Sequence, residues 1–168
     1  MGAIGVVTPV LACLLWANWQ PPAVESLPQA DGLIVDKHLR RLLVYSTGSL
    51  VREYRVSLGR EPVGSKMQQG DRRTPEGLYV IDHHNSGSRF HRALHVSYPS
   101  PADIAKARAV GVDPGGEIMV HGIQNGLGWL GRAQRFVDWT TGCIALTDPE
   151  IEELYRLVPD GTPIEIRP

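Results

Sequence analysis

The chain has little cysteine, few aromatic residues and no excess of charge of either sign. Of its 168 residues, 2 are cysteine and 7% are aromatic, and 17 basic against 18 acidic residues give a formal net charge of −1. Nucleic-acid binders depend on clustered Lys and Arg, so this balance argues against a DNA or RNA partner. The sequence also lacks internal repeats, and its length suits one domain with a hydrophobic core.

The remaining composition is that of a globular protein with many turns. Hydrophobic residues make up 42% of the chain and charged residues 21%, with 18 Gly and 13 Pro. These fractions exclude a disordered chain, and the Gly and Pro content argues against an all-helical bundle.

The first 19 residues differ in composition from the rest of the chain. Residues 3–16 carry no charged side chain, and a polar segment with three prolines, residues 20–29, follows. We interpret residues 1–19 as a signal peptide or N-terminal membrane anchor, residues 20–31 as a linker and residues 32–168 as the folded domain. No Lys or Arg precedes the apolar run, so a buried N-terminal strand or helix, or a wrongly chosen start codon, remains an alternative.

Export predicts a periplasmic or cell-envelope location, with membrane association through the apolar segment. Residues 10–13 resemble a lipoprotein processing box that ends at Cys13, but the apolar run continues to Trp16, which makes lipidation the weaker alternative. With Cys13 in the leader, Cys143 has no disulfide partner in the domain. An unpaired thiol in an oxidising compartment is either a reactive nucleophile or an inert buried residue.

Short apolar runs separated by turn residues predict a mainly β domain with one or two short helices. A capping-box pattern at Thr147 and Glu150 predicts the better helix, with Ile151 and Leu154 on its buried face. A shorter helix is expected over residues 102–110, and residues 59–77 form a long loop of the kind often kept for binding. The predicted strands are residues 33–35, 42–45, 50–58, 78–81, 94–98, 117–121 and 164–166.

No metal site or cofactor is expected. The sequence contains neither H-E-x-x-H nor C-x-x-C. Asp82, His83, His84 and His91 lie close together in sequence, but adjacent strand residues point to opposite faces of a sheet, which argues against a shared ion.

His121 and Cys143 are the candidate chemical pair. His121 closes an apolar strand and precedes Gly122, and Cys143 follows Gly142 at the start of another apolar run. An imidazole beside a thiol can accept the thiol proton and so favour the thiolate at neutral pH. A low pKa is therefore expected for the Cys143 thiol. Gly142 allows a turn whose amide groups point at an oxyanion.

These residues resemble the catalytic domain of the L,D-transpeptidases, the YkuD-like fold of bacterial cell-wall enzymes. The resemblance covers roughly residues 33–166 and lies in three ordered matches. They are His121-Gly122, the run Thr140-Thr141-Gly142-Cys143, and the upstream segment Thr74-Pro75-Glu76-Gly77-Leu78-Tyr79, which follows Ser57-Leu58-Gly59. The fold it implies is a β-sandwich-like core with the active site in a cleft between loops.

The resemblance implies a thiol enzyme that acts on the stem peptides of peptidoglycan. Cys143 would attack the carbonyl of the third stem residue, expel terminal D-alanine and hold a thioester, while His121 transfers the proton. The Gly122 carbonyl would orient the imidazole, and the amides of Gly142 and Cys143 would form the oxyanion site. An amine acceptor gives a cross-link and water gives hydrolysis.

Two departures from the residue pattern of the family indicate a divergent branch with a Thr-Thr-Gly-Cys motif. Many family members have His where Thr141 stands, and Asn or Arg where Ala145 stands, which leaves the handling of the acceptor open. A hydrolase of the same fold, an L,D-carboxypeptidase or amidase, therefore stays an alternative, with a non-catalytic wall-binding module as a third. A monomer is expected because the sequence shows no pairing helix.

Side chains near the pair are candidates for substrate binding. Stem peptides carry carboxylates, which a guanidinium binds through two hydrogen bonds, so Arg132 and Arg135 are predicted contacts. Thr140 and Trp129 are further candidates, with Trp129 as a wall of the cleft. For Trp139, packing of the loop onto the sheet is the favoured interpretation.

Overall fold

The computed structural model describes residues 9–19 and 27–168. Eight strands and three α-helices follow one another, together with a 3-10 helical segment, Gly128–Phe136. The strands are β1 Gly32–Asp36, β2 Arg41–Ser46, β3 Ser49–Arg55, β4 Gly77–Asn85, β5 Ala93–Val96, β6 Met119–His121, β7 Ile144–Ala145 and β8 Pro163–Arg167. The helices are α1 Pro9–Asn18, α2 Pro101–Ala109 and α3 Asp148–Leu157.

The strands form one curled sheet in the order β3-β2-β1-β8-β4-β5-β6-β7. Pairing is antiparallel except for β1 with β8 and β6 with β7, which are parallel. Just beyond β3, Ser57 bridges to Ala145 and Gly59 bridges to Thr140. These bridges join the two outer strands of the sheet, so the sheet curls back onto itself beside the segment that carries Cys143.

The hydrophobic core fills the interior of the curled sheet, and α3 covers it. Side chains from β1, β2, β4, β5, β6 and β7 are fully buried there, among them Val35, Leu42 and Ile81. Helix α3 contributes Ile151 and Leu154. Burying a side chain of this size stabilises a fold by about 1.5–3 kcal/mol, so the core rather than the loops holds the site elements in place.

Both predicted helices begin at capping boxes. The Ser100 side chain accepts a bond from the Asp103 amide at the start of α2, and Asp103 reaches back to the Ser100 amide. In α3, the Glu150 carboxylate accepts a hydrogen bond from the Thr147 amide. Such boxes pair amide groups that a helix start otherwise leaves without partners.

Every predicted strand is present, although β3 ends at Arg55 rather than at residue 58 and β4 continues to Asn85 rather than ending at residue 81. Both helices are confirmed within one or two residues. Residues 144 and 145 form an additional short strand, β7, and the 3-10 segment lies where the sequence predicted neither a helix nor a strand. Gly131 within that segment has φ +47 and ψ −129, which breaks its helical path.

Part of the apolar N-terminal stretch forms helix α1, which packs on the 3-10 segment. The rings of Trp16 and Phe136 stack with centroids 6.0 Å apart, and Asn18 Nδ2 donates to the Trp129 carbonyl at 3.1 Å. Residues 1–8 of the predicted leader and residues 20–26 of the predicted linker lie outside the described residues. Within the ranges given above, no helix combines the length and apolar character needed to cross a membrane.

Candidate active site

Two neighbouring parallel strands carry His121 and Cys143. Strand β6 ends at His121, and Cys143 immediately precedes β7. The register pairs Val120 with Ile144, which puts Cys143 beside Met119, two residues before His121. Residues two apart on a strand share a face, so the thiol and the imidazole belong to one face of the sheet.

The His121 ring is fixed by its own neighbour. Its Nδ1 lies 2.6 Å from the Gly122 carbonyl oxygen, and because a carbonyl only accepts, Nδ1 carries the proton and Nε2 is left as the basic nitrogen. The buried imidazole also contacts the rings of Phe90, centroids 4.5 Å apart, and Trp139, 5.7 Å apart. Burial lowers the pKa of His121 to about 4, against the opposing effect of the Gly122 hydrogen bond.

Position 122 requires glycine because the surrounding atoms leave no room for a side chain. A Cβ there would lie 2.8 Å from Asp148 Oδ1 and 2.9 Å from Ile151 Cγ2. Its amide is bound by the carbonyls of Phe90 and Arg92. The carbonyl that holds His121 is therefore itself held by close packing against α3.

The Cys143 thiol is half-buried and protonated at neutral pH. Its Sγ donates to the Glu117 carbonyl at 3.6 Å and not to the imidazole. Burial raises the pKa of Cys143, while the Met119 amide and the positive charge of Lys66 only partly oppose the rise. The expectation of a thiol of low pKa is wrong for this structure, because both partners are desolvated and both are neutral.

Thr140 supports the turn that presents the thiol. Its buried hydroxyl donates to the Cys143 carbonyl at 2.7 Å and accepts from the Gly142 amide at 3.1 Å. The hydroxyl therefore points inward to the turn and supports its backbone, and a contact between Thr140 and substrate stays a prediction. The Gly142 amide donates to this hydroxyl, and the oxyanion site formed by the amides of Gly142 and Cys143 stays a prediction.

Gly142 and Gly59 allow two backbone segments to approach closely. Gly142 has φ +136, a conformation that favours glycine, and a Cβ there would lie 2.6 Å from the Arg73 carbonyl. A Cβ on Gly59 would lie 2.1 Å from the Arg72 carbonyl oxygen and 3.1 Å from the Gly142 Cα. The loop of residues 59–77 thus packs backbone to backbone against the turn before Cys143.

Buried lysines hold this loop in shape. Lys37 Nζ binds the carbonyls of Gly64 and Thr74 and pairs with the Glu76 carboxylate at 2.6 Å. Lys66, also buried, pairs with Asp71 at 2.9 Å. Buried charges are retained where they are paired and hydrogen-bonded, as both are here.

A cavity of about 370 Å³ opens beside the thiol. Cys143 and Thr141 form one part of its wall, and the loop of residues 59–77 and the segment before β6 form the rest. Its lining residues are Lys66, Gln69, Gly70, Gly115, Gly116, Glu117, Ile118, Thr141 and Cys143. Lys66 here and Phe90 beside His121 were not predicted from the sequence, because both reach the site from distant parts of the chain.

The other predicted substrate contacts lie apart from this cavity. The Arg132 guanidinium lies 5.2 Å above the Trp19 ring. Arg135 pairs with both oxygens of Glu150, and the Trp129 side chain is exposed on the 3-10 segment. None of the three lines the cavity beside Cys143 within the described part of the chain, so their binding of substrate stays a prediction without a supporting contact.

The sequence as a whole matches a known family. The model of the family YkuD, the L,D-transpeptidase catalytic domain, matches residues 30–166. The chain belongs to this family. The mainly β, curled fold with a few short helices is the fold of these domains, as the resemblance implied.

Individual relatives agree with the family assignment. YafK of Escherichia coli (strain K12) is 27% identical over 111 residues, which cover 65% of this chain and 37% of YafK. Bd1075 of Bdellovibrio bacteriovorus superposes with a TM-score of 0.57 at 25% identity, over 86% of this chain and 49% of that one. The helical cell shape determining protein Pgp2 of Campylobacter jejuni gives 0.61 at 23% identity, over 93% and 54%. The chain therefore spans about half the length of these structures or less.

Proposed function

We propose that this chain is a cysteine-dependent L,D-transpeptidase acting on the tetrapeptide stems of peptidoglycan. Family membership supports a wall-related transpeptidase-like activity. The finer proposal rests on one observation: the Nδ1–Gly122 bond fixes the imidazole with its basic Nε2 free, on the strand beside Cys143. A surface or core histidine has no need of such an arrangement next to a thiol.

In the first step, His121 acts as general base for the thiol. The thiol turns from the Glu117 carbonyl toward the imidazole, and Nε2 takes its proton as Sγ attacks the carbonyl carbon of the third stem residue. The Cys143 amide donates to the developing oxyanion. The C–N bond to terminal D-alanine then breaks, the amine leaves with the proton from Nε2, and the stem is held as a thioester.

In the second step, the acyl group passes to an acceptor. An amine attacks the thioester carbonyl and gives its proton to Nε2, and as the C–S bond breaks Nε2 passes that proton to Sγ, which restores the thiol and the neutral imidazole. The Cys143 thiol and the His121 imidazole are both neutral before and after the reaction. Each proton transfer is therefore coupled to the formation or breaking of a bond. The low pKa of His121 suits this mechanism, since the imidazole is unprotonated at neutral pH.

The proposed substrate sets the location and the biological role. Peptidoglycan stems lie outside the cytoplasmic membrane, so the protein would act in the periplasm or cell envelope. Pgp2 of Campylobacter jejuni is a helical cell shape determining protein. A role in cross-linking or remodelling the wall is the corresponding proposal for this chain.

Mass spectrometry of muropeptide mixtures tests this proposal. Purified protein is incubated with tetrapeptide muropeptides, which offer both an amine and water, beside the Cys143→Ala variant and a Cys13→Ala control. The transpeptidase predicts cross-linked or D-amino-acid-exchanged products in the wild type and the control, and none in Cys143→Ala. Stems trimmed to tripeptides without cross-links would replace the proposal with the hydrolase, and unchanged muropeptides would refute turnover on this substrate.

A further inference from the structure

Strand β4 contains a β-bulge where it pairs with β5. The register runs from Ile81 opposite Val96 to His83 opposite His95, so Asp82 is an extra residue on β4. A bulge sets two residues of one strand against one residue of its partner and re-aims a side chain. The regular alternation that argued against a shared ion therefore does not hold at Asp82 and His83.

The bulge brings together three metal-ligating side chains. The Asp82 carboxylate oxygen lies 2.9 Å from His83 Nδ1 and 2.6 Å from His95 Nδ1. The two imidazole rings stack with centroids 4.6 Å apart and planes 21° apart. One ligand atom from each residue lies within 4.8 Å of the other two.

This geometry is close to what a zinc ion requires. Zinc binds imidazole nitrogen and carboxylate oxygen at about 2.0–2.2 Å in a tetrahedron, which sets its ligand atoms roughly 3.4 Å apart. The Asp82 oxygen now lies 2.9 Å from His83 Nδ1 and 2.6 Å from His95 Nδ1, so a bound ion would move the three groups slightly apart. Three protein ligands leave the fourth position to water, as in open zinc sites.

Two other histidines outside this cluster are paired with acidic side chains elsewhere. His84 is held by Asp160 at 2.6 Å and by the Tyr155 carbonyl, and His91 pairs with Glu152 at 2.9 Å. In the cluster, the His95 side chain is 14% exposed and the His83 side chain 56% exposed. The sheet thus forms the floor of the cluster, and solvent reaches it from the His83 side.

The cluster lies on the sheet close to the candidate active site. His95 pairs with Met119 of β6, and the β6–β7 register puts Cys143 beside Met119. Two strand spacings, about 10 Å, therefore separate the backbones at His95 and Cys143. We propose that Asp82, His83 and His95 bind a divalent transition metal of the Zn²⁺ type at this position.

Isothermal titration with zinc chloride tests the site. The full chain is used as a Cys13→Ser and Cys143→Ser double variant, so that neither thiol contributes to binding. We expect one Zn²⁺ per chain, and at least about tenfold weaker binding after His83→Ala or His95→Ala. His38→Ala, which removes a surface histidine in the β1–β2 turn, serves as the matched control and should bind as before. Mg²⁺, which prefers oxygen ligands, should give no binding heat.

The result is decisive even if one variant folds poorly. His95 is largely buried, whereas Asp82 and His83 are partly exposed, so Asp82→Asn and His83→Ala should keep the native circular dichroism. Absence of zinc binding by the double variant up to millimolar zinc would overturn the proposal. Equal zinc affinity in His83→Ala and in the His38→Ala control would overturn it as well.

Discussion

The Thr140 hydroxyl donates to the carbonyl of Cys143 at 2.7 Å, across the turn that carries the thiol. The same hydroxyl accepts from the Gly142 amide, so one buried side chain fixes the backbone on both sides of the Gly-Cys peptide. The position of the nucleophile therefore depends on a residue that does not reach the cavity.

Removal of this hydroxyl should damage both stability and activity. Thr140→Val keeps the shape of the side chain but leaves the Cys143 carbonyl and the Gly142 amide without their partner, at a cost of about 1–3 kcal/mol in the free energy of unfolding. We expect kcat to fall at least about tenfold, with a smaller change in KM, because the thiol is misplaced. Thr140→Ser retains the hydroxyl and should stay near wild type in urea unfolding and in D-alanine release. Equal behaviour of the Val and Ser variants would contradict this role.

The close packing at Gly59 predicts a sensitive position outside the motif itself. Gly59→Ala places a Cβ 2.1 Å from the Arg72 carbonyl, so either the loop or the Gly142 turn must move. Overpacking of this kind typically costs about 1–3 kcal/mol, and activity should fall with it. Gly32→Ala is the control, since its Cβ meets nothing within 4 Å. Thermal unfolding of both variants measures the difference. Matching melting temperatures would contradict the prediction, because they would show that the loop accommodates the added methyl group without loss of stability.

The low pKa of His121 predicts an unusual pH profile. The imidazole must be unprotonated to accept the thiol proton, and burial lowers its pKa to about 4. The acid limb of kcat/KM for D-alanine release should therefore fall through about pH 4. An exposed histidine would give half-maximal activity near pH 6.5. A midpoint at that higher value would mean that water or charge reaches the ring in the working enzyme.

The same shift makes stability depend on pH. Because the folded protein favours neutral His121, its contribution is complete above about pH 6.5, the unfolded pKa, and is lost as pH falls from there toward about 4. The full loss amounts to roughly 3 kcal/mol. Urea unfolding of wild type and His121→Gln at pH 7, 5 and 4 isolates this effect, because other groups titrate in both proteins. Parallel loss of stability in the two proteins would argue against a buried neutral imidazole.

The sequence predicted the strands well, and the structure places the two predicted chemical residues on neighbouring segments. Apolar runs with turn residues at their ends are local features, and Thr147 and Glu150 marked the start of α3 directly. His121 and Cys143 stood out through their glycine neighbours and through a resemblance that spans the domain.

What the sequence could not predict depends on contacts between distant segments. Lys66 and Phe90 reach the site through the folding of long loops, and Arg135 is engaged by Glu150 of α3. The inward orientation of Thr140 follows from burial, which a short motif does not reveal. The bulge at Asp82 breaks the alternation on which reading a strand relies.

The most direct test of the central claim is intact-protein mass spectrometry of the acyl-enzyme. The chain is mixed with excess tetrapeptide stem, quenched in acid within seconds and weighed. Our account predicts a mass increase equal to the tripeptide acyl group, located on Cys143 by peptide mapping, removed by hydroxylamine and absent in Cys143→Ala. Release of D-alanine by Cys143→Ala, or an acyl group attached to any other residue, would contradict the account.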